Sequence, residues 1–237
     1  MSAQSKASKS NDPAGATTGR MARKRAITRA SLLAAAFEVM ADCGVDGAKI
    51  KDITDRADVG FGTFYNYFES KDDLASAVLD CMIDDLGRRN AVATKELREE
   101  SPAFVFAVST RLVIREAAKE PIWQWWAMRP DLLVDRLRDG FGPFAKRDIR
   151  DGINSGIFHI DAGDIDQAWA LACWVMVGGI HDIVVGARTA NDDGFVAQAT
   201  AALLGLDFAS AQRVSTYPLP DYPPASIDWH FSRAEVD

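Results

Sequence analysis

The sequence is poor in residues that carry covalent chemistry. Its 237 residues include only three cysteines, Cys43, Cys81 and Cys173, far apart and without a CxxC pair. That is too few for a disulfide scaffold, and no zinc spacing is present. A reduced, cytoplasmic setting is the simplest account of them. Histidine is equally scarce, with His159, His181 and His230 alone, and there is no HExxH, GxSxG or glycine-rich phosphate loop. Those absences remove the usual signatures of metallohydrolases, serine hydrolases and nucleotide-binding enzymes. His181-Asp182 and Asp84-Asp85 are sequence neighbours, and on a helix adjacent side chains point about 100° apart, which makes neither a catalytic nor a metal-binding pair. No enzyme activity, metal or cofactor is expected. The stretch from Met1 to Gly19 contains no apolar run, so it does not read as a signal peptide. No internal repeat and no convincing strand pair are found.

What the chain does contain is an uneven charge. The net charge is −7, which excludes a uniformly basic nucleic-acid coat. Yet through Lys71 there are 11 basic against 8 acidic side chains, and the remainder carries 16 against 26. At the very front, Lys6, Lys9, Arg20, Arg23, Lys24, Arg25 and Arg29 stand against Asp12 alone. A basic front on an acidic body suggests that one end meets a polyanion. The run 168–187 is long enough to span a bilayer, but His181 and Asp182 lie inside it and no strong basic flank orients it. It reads as a helix buried on all faces of a protein outside the membrane.

Apolar spacing is helical almost throughout, so the expected architecture is all-α. Ile27 to Cys43 places Leu33, Phe37, Met40 and Ala41 on one stripe and stops at Gly44. Short segments follow at Lys51–Ala57 and from Gly60 to Tyr67, with Asp58-Val59-Gly60 as the turn. Ser70, with Asp73 three residues on, predicts a capped helix running toward Leu97. Further helices are expected at 101–119, 122–128, 132–138, 144–154, 164–188 and 195–204, and an extended tail holds four prolines between Tyr217 and Pro224. The expected organisation is a disordered basic arm (1–20), a three-helix helix-turn-helix domain (21–70), a helical ligand-binding and dimerisation domain (71–215) and an extended proline-rich tail (216–237).

Two short helices around a three-residue turn, behind a longer helix, are the parts of a helix-turn-helix. Ile53, Ala57, Val59, Phe64 and Phe68 can form one small core, leaving Thr63, Asn66 and Tyr67 on the other side. Such an outward stripe of hydroxyl and amide groups suits phosphates and base edges. Gly60 and Gly62 allow close backbone approach, and Lys49, Lys51 and Lys71 supply salt-sensitive attraction. The other reading is a plain helical corner with Phe64, Tyr65, Tyr67 and Phe68 as core aromatics.

The run KIKDITDRADVGFGTFYNYFESKDDL resembles the DNA-binding signature of the tetracycline-repressor (TetR) family, through Gly62-Thr63-Phe64-Tyr65, Phe68, Lys71 and Leu74 at the family spacing. The resemblance covers roughly Ile27 to Leu79. It implies that Gly62–Tyr67 is the recognition helix, with Thr63, Tyr65 and Tyr67 on phosphates or bases, Lys51 on a base or phosphate, and Lys71 clamping a phosphate. Departures are Lys49 where the family commonly has a capping Thr, Thr54 for Ala and Gly60 for Ser. The arm residues Arg23 and Arg25 join the candidate contact set, as phosphate trackers or minor-groove probes, a solvated tail without a role being the alternative.

In the second half, the apolar helix 168–187 and the helix 195–204 fit a four-helix interface between two copies. Trp169, Val175, Gly178, Gly179, Ile183, Gly186, Ala199 and Leu203 are its candidate residues, and a homodimer would pair two recognition helices on a palindromic operator; the alternative is that the apolar helix is the central core of a monomer. All six tryptophans lie beyond Pro121. Phe104, Trp123, Trp126, Arg129, Phe144, Trp174 and His181 are candidates to line a pocket for a hydrophobic or aromatic effector, ordinary aromatic packing being the alternative. Arg111, Arg115 and Lys119 read as a solvated stripe paired with Glu116 and Glu120. The function expected is a homodimeric regulator, a repressor released by its ligand. The competing readings are a helical dimeric ligand-binding protein, or an enzyme, with a degenerate head.

Overall fold

The computed structural model describes residues 13–119 and 121–232, and every element among them is helical. Residues 1–12, Glu120 and residues 233–237 lie outside the described residues, and with them the first part of the expected arm and the proposed pairing of Glu120.

The head consists of α1 (Pro13–Gly47), α2 (Ile50–Arg56) and α3 (Phe61–Phe64). Gly44, at φ 71°, breaks α1 where the glycine predicted a stop; that left-handed conformation is cheap only without a Cβ. α4 (Lys71–Ala93) leads from head to body. Its first turn is capped as the sequence indicated. Ser70 Oγ accepts from the Asp73 N–H at 3.0 Å, and the Asp73 carboxylate returns to the Glu69 N–H at 3.0 Å, one residue earlier than a strict capping box.

The body adds α5 (Leu97–Glu100), α6 (Pro102–Ala117), α7 (Pro121–Ala127), α8 (Pro130–Asn154), α9 (Ile165–Val184), α10 (Asp193–Leu203) and α11 (Phe208–Ser215). α8 packs on α9, α4 and α6; α10 packs on α6, α9 and α11; α1 lies against α4 and α7. One continuous apolar cluster runs from Leu33, Met40, Ile53 and Phe64 in the head, through Leu79 and Ile83 of α4, to Leu137, Trp169 and Met176 in the body. Head and body therefore share a core.

Several expectations are corrected. α1 starts at Pro13, so residues 13–20 are helical rather than part of a disordered arm; Pro suits a first helical turn because its missing N–H would be unpaired there anyway. The two helices expected at 132–138 and 144–154 are one, α8, which runs straight through Pro143. Proline removes one hydrogen bond of the ladder, but Phe141, Gly142 and Ala145 are buried around it while Pro143 itself faces solvent. The helix α11 was not expected; Asp207 caps it by accepting from the Ser210 N–H at 2.8 Å. The Arg111, Arg115, Lys119 stripe is solvated only in part: Lys119 is exposed and pairs with Glu116 as expected, but Arg111 is buried and Arg115 half-buried. Both guanidiniums reach the buried Asp193 of α10, at 3.3 and 2.5 Å.

The segment Ala162–Val184 is long and apolar enough, by length and composition, to cross a membrane. In the structure Ala172, Cys173, Met176 and Ile180 enter the core. The expectation of burial on all faces fails, however, because Leu171 and Trp174 remain about half exposed, at 48% and 47%.

Candidate nucleic-acid interface and body cavity

The corner between α2 and α3 is built on Ile53, Phe64 and Phe68, all buried, with Ala57 and Val59 packed against them. Asp58 sits at φ 53° in the turn, a conformation that Asp tolerates better than most residues. The Val59 N–H closes the turn on Thr54 O at 3.0 Å. Thr54 is fully buried but satisfied, donating to Lys51 O at 3.0 Å. After Phe64 the chain continues in hydrogen-bonded turns, with Tyr67 N–H on Phe64 O at 2.9 Å.

The outer side carries the predicted polar set. Lys49, Lys51, Gly62, Tyr65 and Asn66 are exposed, and Thr63 and Tyr67 are half-buried. Gly60 has φ −65° and Gly62 has no atom within 4 Å of an added Cβ. The fold demands neither glycine, so any reason for them lies outside the chain. Lys49 occupies the N-cap of α2 without a side-chain cap. Lys51 pairs with Asp55 at 2.5 Å, both exposed, and that hydrogen bond raises the pKa of the Lys51 ammonium.

α1 contributes the rest of the surface. Arg25 lies over the Tyr67 ring at 5.7 Å and donates to Asn66 O at 3.4 Å. Between them, Met21, Ala22, Lys24, Arg25, Asn66 and Tyr67 line an open groove; Arg23 is exposed on the same turns. The exposed Phe61, edge-on to Tyr65 at 5.9 Å, belongs to this surface too. Sequence reading missed it because an apolar residue there reads as core. Lys71 is placed differently from expectation. Its ammonium donates to Asp46 O at 3.0 Å and Ala48 O at 3.1 Å, gathering the carbonyls of the α1–α2 junction instead of facing outward. The Asp46 carboxylate accepts from the Trp125 indole N–H of α7 at 2.9 Å, so the same junction is also held from the body.

A narrow cavity lies among α4, α6, α8 and α9, with about 50 Å³ open to the centre of a water-sized sphere. Phe106, Val113, Phe141, Phe144, Trp169 and Met176 form its apolar wall, while Asn90, Thr94, Arg98, Ser109, Arg147 and Asp148 supply polar groups. Thr94 and Thr110 spend their hydroxyl protons on backbone carbonyls. Asp148 is buried. Its Oδ1 accepts from Arg98 at 2.6 Å and from two nitrogens of Arg147 at 3.1 Å. No hydrogen bond to its Oδ2 is found among the described residues. Two guanidiniums around one carboxylate leave this end net positive. Gly87 admits the Phe144 ring to the wall, since a Cβ there would sit 2.9 Å from it. No group of three or more His, Cys, Asp or Glu able to hold a metal occurs among the described residues.

Comparison with known proteins bears on both parts. The profile "Bacterial regulatory proteins, tetR family" matches residues 32–78, and "Tetracyclin repressor-like, C-terminal domain" matches 101–216. A crystal structure of RolR in complex with resorcinol superposes with a TM-score of 0.77 at 31% identity, covering 85% of this chain and all of RolR. The chain belongs to the TetR family of bacterial transcriptional regulators. The HTH-type transcriptional regulator BetI 1 of Chromohalobacter salexigens is 30% identical over 121 residues, 48% of this chain and 60% of its own length. YvdT of Bacillus subtilis, an uncharacterised HTH-type regulator, is 42% identical over 52 residues, 22% of this chain and 27% of its own. This chain thus spans less than two thirds of either curated relative.

Within this TetR-family body the predicted ligand residues scatter. Phe144 lines the cavity. Phe104 stacks on Tyr217 at 4.5 Å. Trp123 and Trp126 are core residues of α7, which packs on α1, α9 and α8, and Arg129 lies over the Trp125 ring at 3.7 Å. Trp174 and His181 are partly exposed on α9, His181 Nδ1 lying 3.6 Å from Asp182. Linear sequence could not tell which aromatics face a void. The polar residues that line it, Asn90 and Asp148 above all, carried no motif.

The predicted dimer residues divide as well. Trp169 is buried in its own chain, donating to Arg138 O at 2.9 Å. Gly179 seats α10, because a Cβ there would meet Val196 at 2.5 Å. Val175 and Ile183 pack against the core. Gly178, Gly186 and Leu203 are exposed and Ala199 is half-buried. The uncovered stripe on α9 is Leu171, Trp174 and Gly178, with Val185 just beyond its end, and on α10 Phe195 is exposed as well, at 67%. The helical spacing of 171, 174, 178 and 185 was readable; the choice of face was not.

Proposed function

We infer that this TetR-family regulator is a cytoplasmic repressor that binds a near-palindromic operator as a twofold homodimer and leaves it when a small hydroxylated aromatic compound enters the body cavity. One observation carries the reading. The cavity borders α4, the helix that begins at the head, and combines an apolar wall with an oxygen of the buried Asp148 carboxylate that has no hydrogen-bond partner among the described residues. A phenolic hydroxyl would donate to Asp148 Oδ2 while its ring packs between Phe141, Phe144 and Met176. RolR, crystallised with resorcinol and similar over its whole length, supports this ligand class.

On DNA, Arg23, Arg25, Lys49, Lys51, Gly62, Thr63, Tyr65, Asn66 and Tyr67 form the contact surface, the cations on phosphates and the neutral groups toward base edges. Lys71 holds the corner in shape. Residues 21–70 do the reading and 71–215 the sensing. The stripe on α9 is an apolar surface that water disfavours; a second copy covers it and sets the two heads about 34–36 Å apart, one turn of DNA. Weakening the operator complex ten- to a hundredfold needs only about 1.4–2.8 kcal/mol of differential ligand binding.

Fluorescence anisotropy with DNA from upstream of the protein's own gene tests this. Resorcinol is expected to raise the operator Kd at least tenfold, and Asp148→Asn to raise the resorcinol dose by at least tenfold while the ligand-free Kd stays within threefold. Sequence-independent DNA binding, or operator binding indifferent to resorcinol and related phenols, overturns the reading.

A further inference from the structure

The matched family segments end at residue 216, and the described chain continues to 232 as an extended segment tied down along its length. It begins on the body, where the Tyr217 carbonyl accepts from Arg111 of α6. It then crosses α4. The Tyr222 hydroxyl donates to Asn90 Oδ1 at 2.8 Å, its ring lies 4.1 Å from the Arg89 guanidinium, and Arg89 Nε donates to Pro223 O at 2.8 Å. The Ser226 N–H donates to the buried Asp85 at 3.1 Å. It finishes on the head. The Trp229 ring packs 5.3 Å from Phe37 of α1, and Phe231 O accepts from Arg29 at 3.1 Å. That same guanidinium covers Phe68, in the core of the DNA-binding corner, at 5.7 Å.

Two features make this more than a docked end. Asn90 is also a wall of the effector cavity, so one side chain faces both the ligand space and the strap. Pro218, Pro220, Pro223 and Pro224 fix φ along the crossing. A stiff extended chain loses little entropy on docking and passes a displacement along its length better than a flexible one would.

We propose that residues 217–232 are a strap that couples occupancy of the body cavity to the setting of the DNA-binding head, with Tyr222–Asn90 as its sensing end and Trp229–Phe37 with Arg29–Phe231 as its output end. The role in signalling rests on the cavity being the effector site; the mechanical link does not.

Hydrogen exchange on the full-length protein tests the link without any ligand. Tyr222→Phe deletes one hydroxyl at the sensing end. Exchange is expected to quicken at least threefold there and also in the head, across residues 61–68. Trp229→Ala, the reciprocal variant, should quicken exchange around Asn90, and it decides the matter if Tyr222→Phe lowers the circular dichroism of the fold. Changes confined to each variant's own neighbourhood overturn the strap. In anisotropy, Tyr222→Phe should leave the ligand-free operator Kd and the resorcinol Kd within threefold of wild type, yet shrink the resorcinol-induced loss of operator affinity at least fivefold. An undiminished loss overturns the signalling role. A wild-type protein blind to resorcinol defeats the proposed effector class, while the exchange result still decides the link.

Discussion

The head fills one small core with Ile53, Phe64 and Phe68 and leaves polar and basic groups outside, whereas the body leaves both a cavity inside and an apolar stripe outside. Each region is satisfied by a different missing partner. Cations and hydrogen-bonding groups on a rigid corner call for a polyanion with readable edges. An apolar stripe calls for another apolar surface, and a lined void with an available carboxylate oxygen calls for a small donor molecule. Because the two regions share a core through α4 and α7, an event in one can be felt in the other.

If the head has no slack, Phe64→Ala should cost about 3–5 kcal/mol in urea denaturation, enough to abolish operator binding; a loss under about 1 kcal/mol would mean the corner tolerates voids as the body does. The body's stripe should fail differently. Trp174→Asp is expected to leave helicity intact, to shift the protein to a monomer in analytical ultracentrifugation, and to weaken operator binding at least a hundredfold. A dimer that survives this change would put the interface elsewhere. Within the head, shape and contact should separate. Lys71→Ala removes two charge-assisted hydrogen bonds and should lower stability by about 1–2 kcal/mol. The exposed Tyr65→Ala should change stability by less than about 0.5 kcal/mol while costing about tenfold in operator affinity, about 1.4 kcal/mol. The smallest effect concerns the thiols. Burial pushes Cys81 and Cys173 up to about 12, while Cys43 is exposed. At pH 8 a thiol reagent should therefore label Cys43 promptly and the other two only on unfolding, since the thiolate is the reactive form. Prompt labelling of all three would show the shared core to be open.

Much of the head was legible because its determinants are local. A glycine stop at Gly44, a cap at Ser70, and aromatics four residues apart each fix structure within a turn or two of their own position. The resemblance to the TetR family rested on that same stretch. Lys71 was the exception: its partners, Asp46 O and Ala48 O, lie on the far side of α2 and α3 in the chain, and nothing in the sequence links them. In the body, helix positions were mostly foreseen but side-chain destinations were not. Arg111 and Arg115 of α6 read as a solvated stripe because Asp193, the buried carboxylate that pairs with both, opens α10, several helices further along. Of the aromatics expected around a ligand, Phe144 faces the cavity and the tryptophans beside it in the reading do not.

The sequence by itself determined that the chain is helical, that its front is basic and built as a helix-turn-helix, and that its rear holds one long apolar helix, because helical periodicity, caps and charge are properties of neighbouring residues. Only the tertiary structure decided which aromatics line a void, which face of α9 stays bare, and that the proline-rich end doubles back across α4 to the head. Those outcomes depend on which distant surfaces meet, and no residue carries that information within its own few turns of chain.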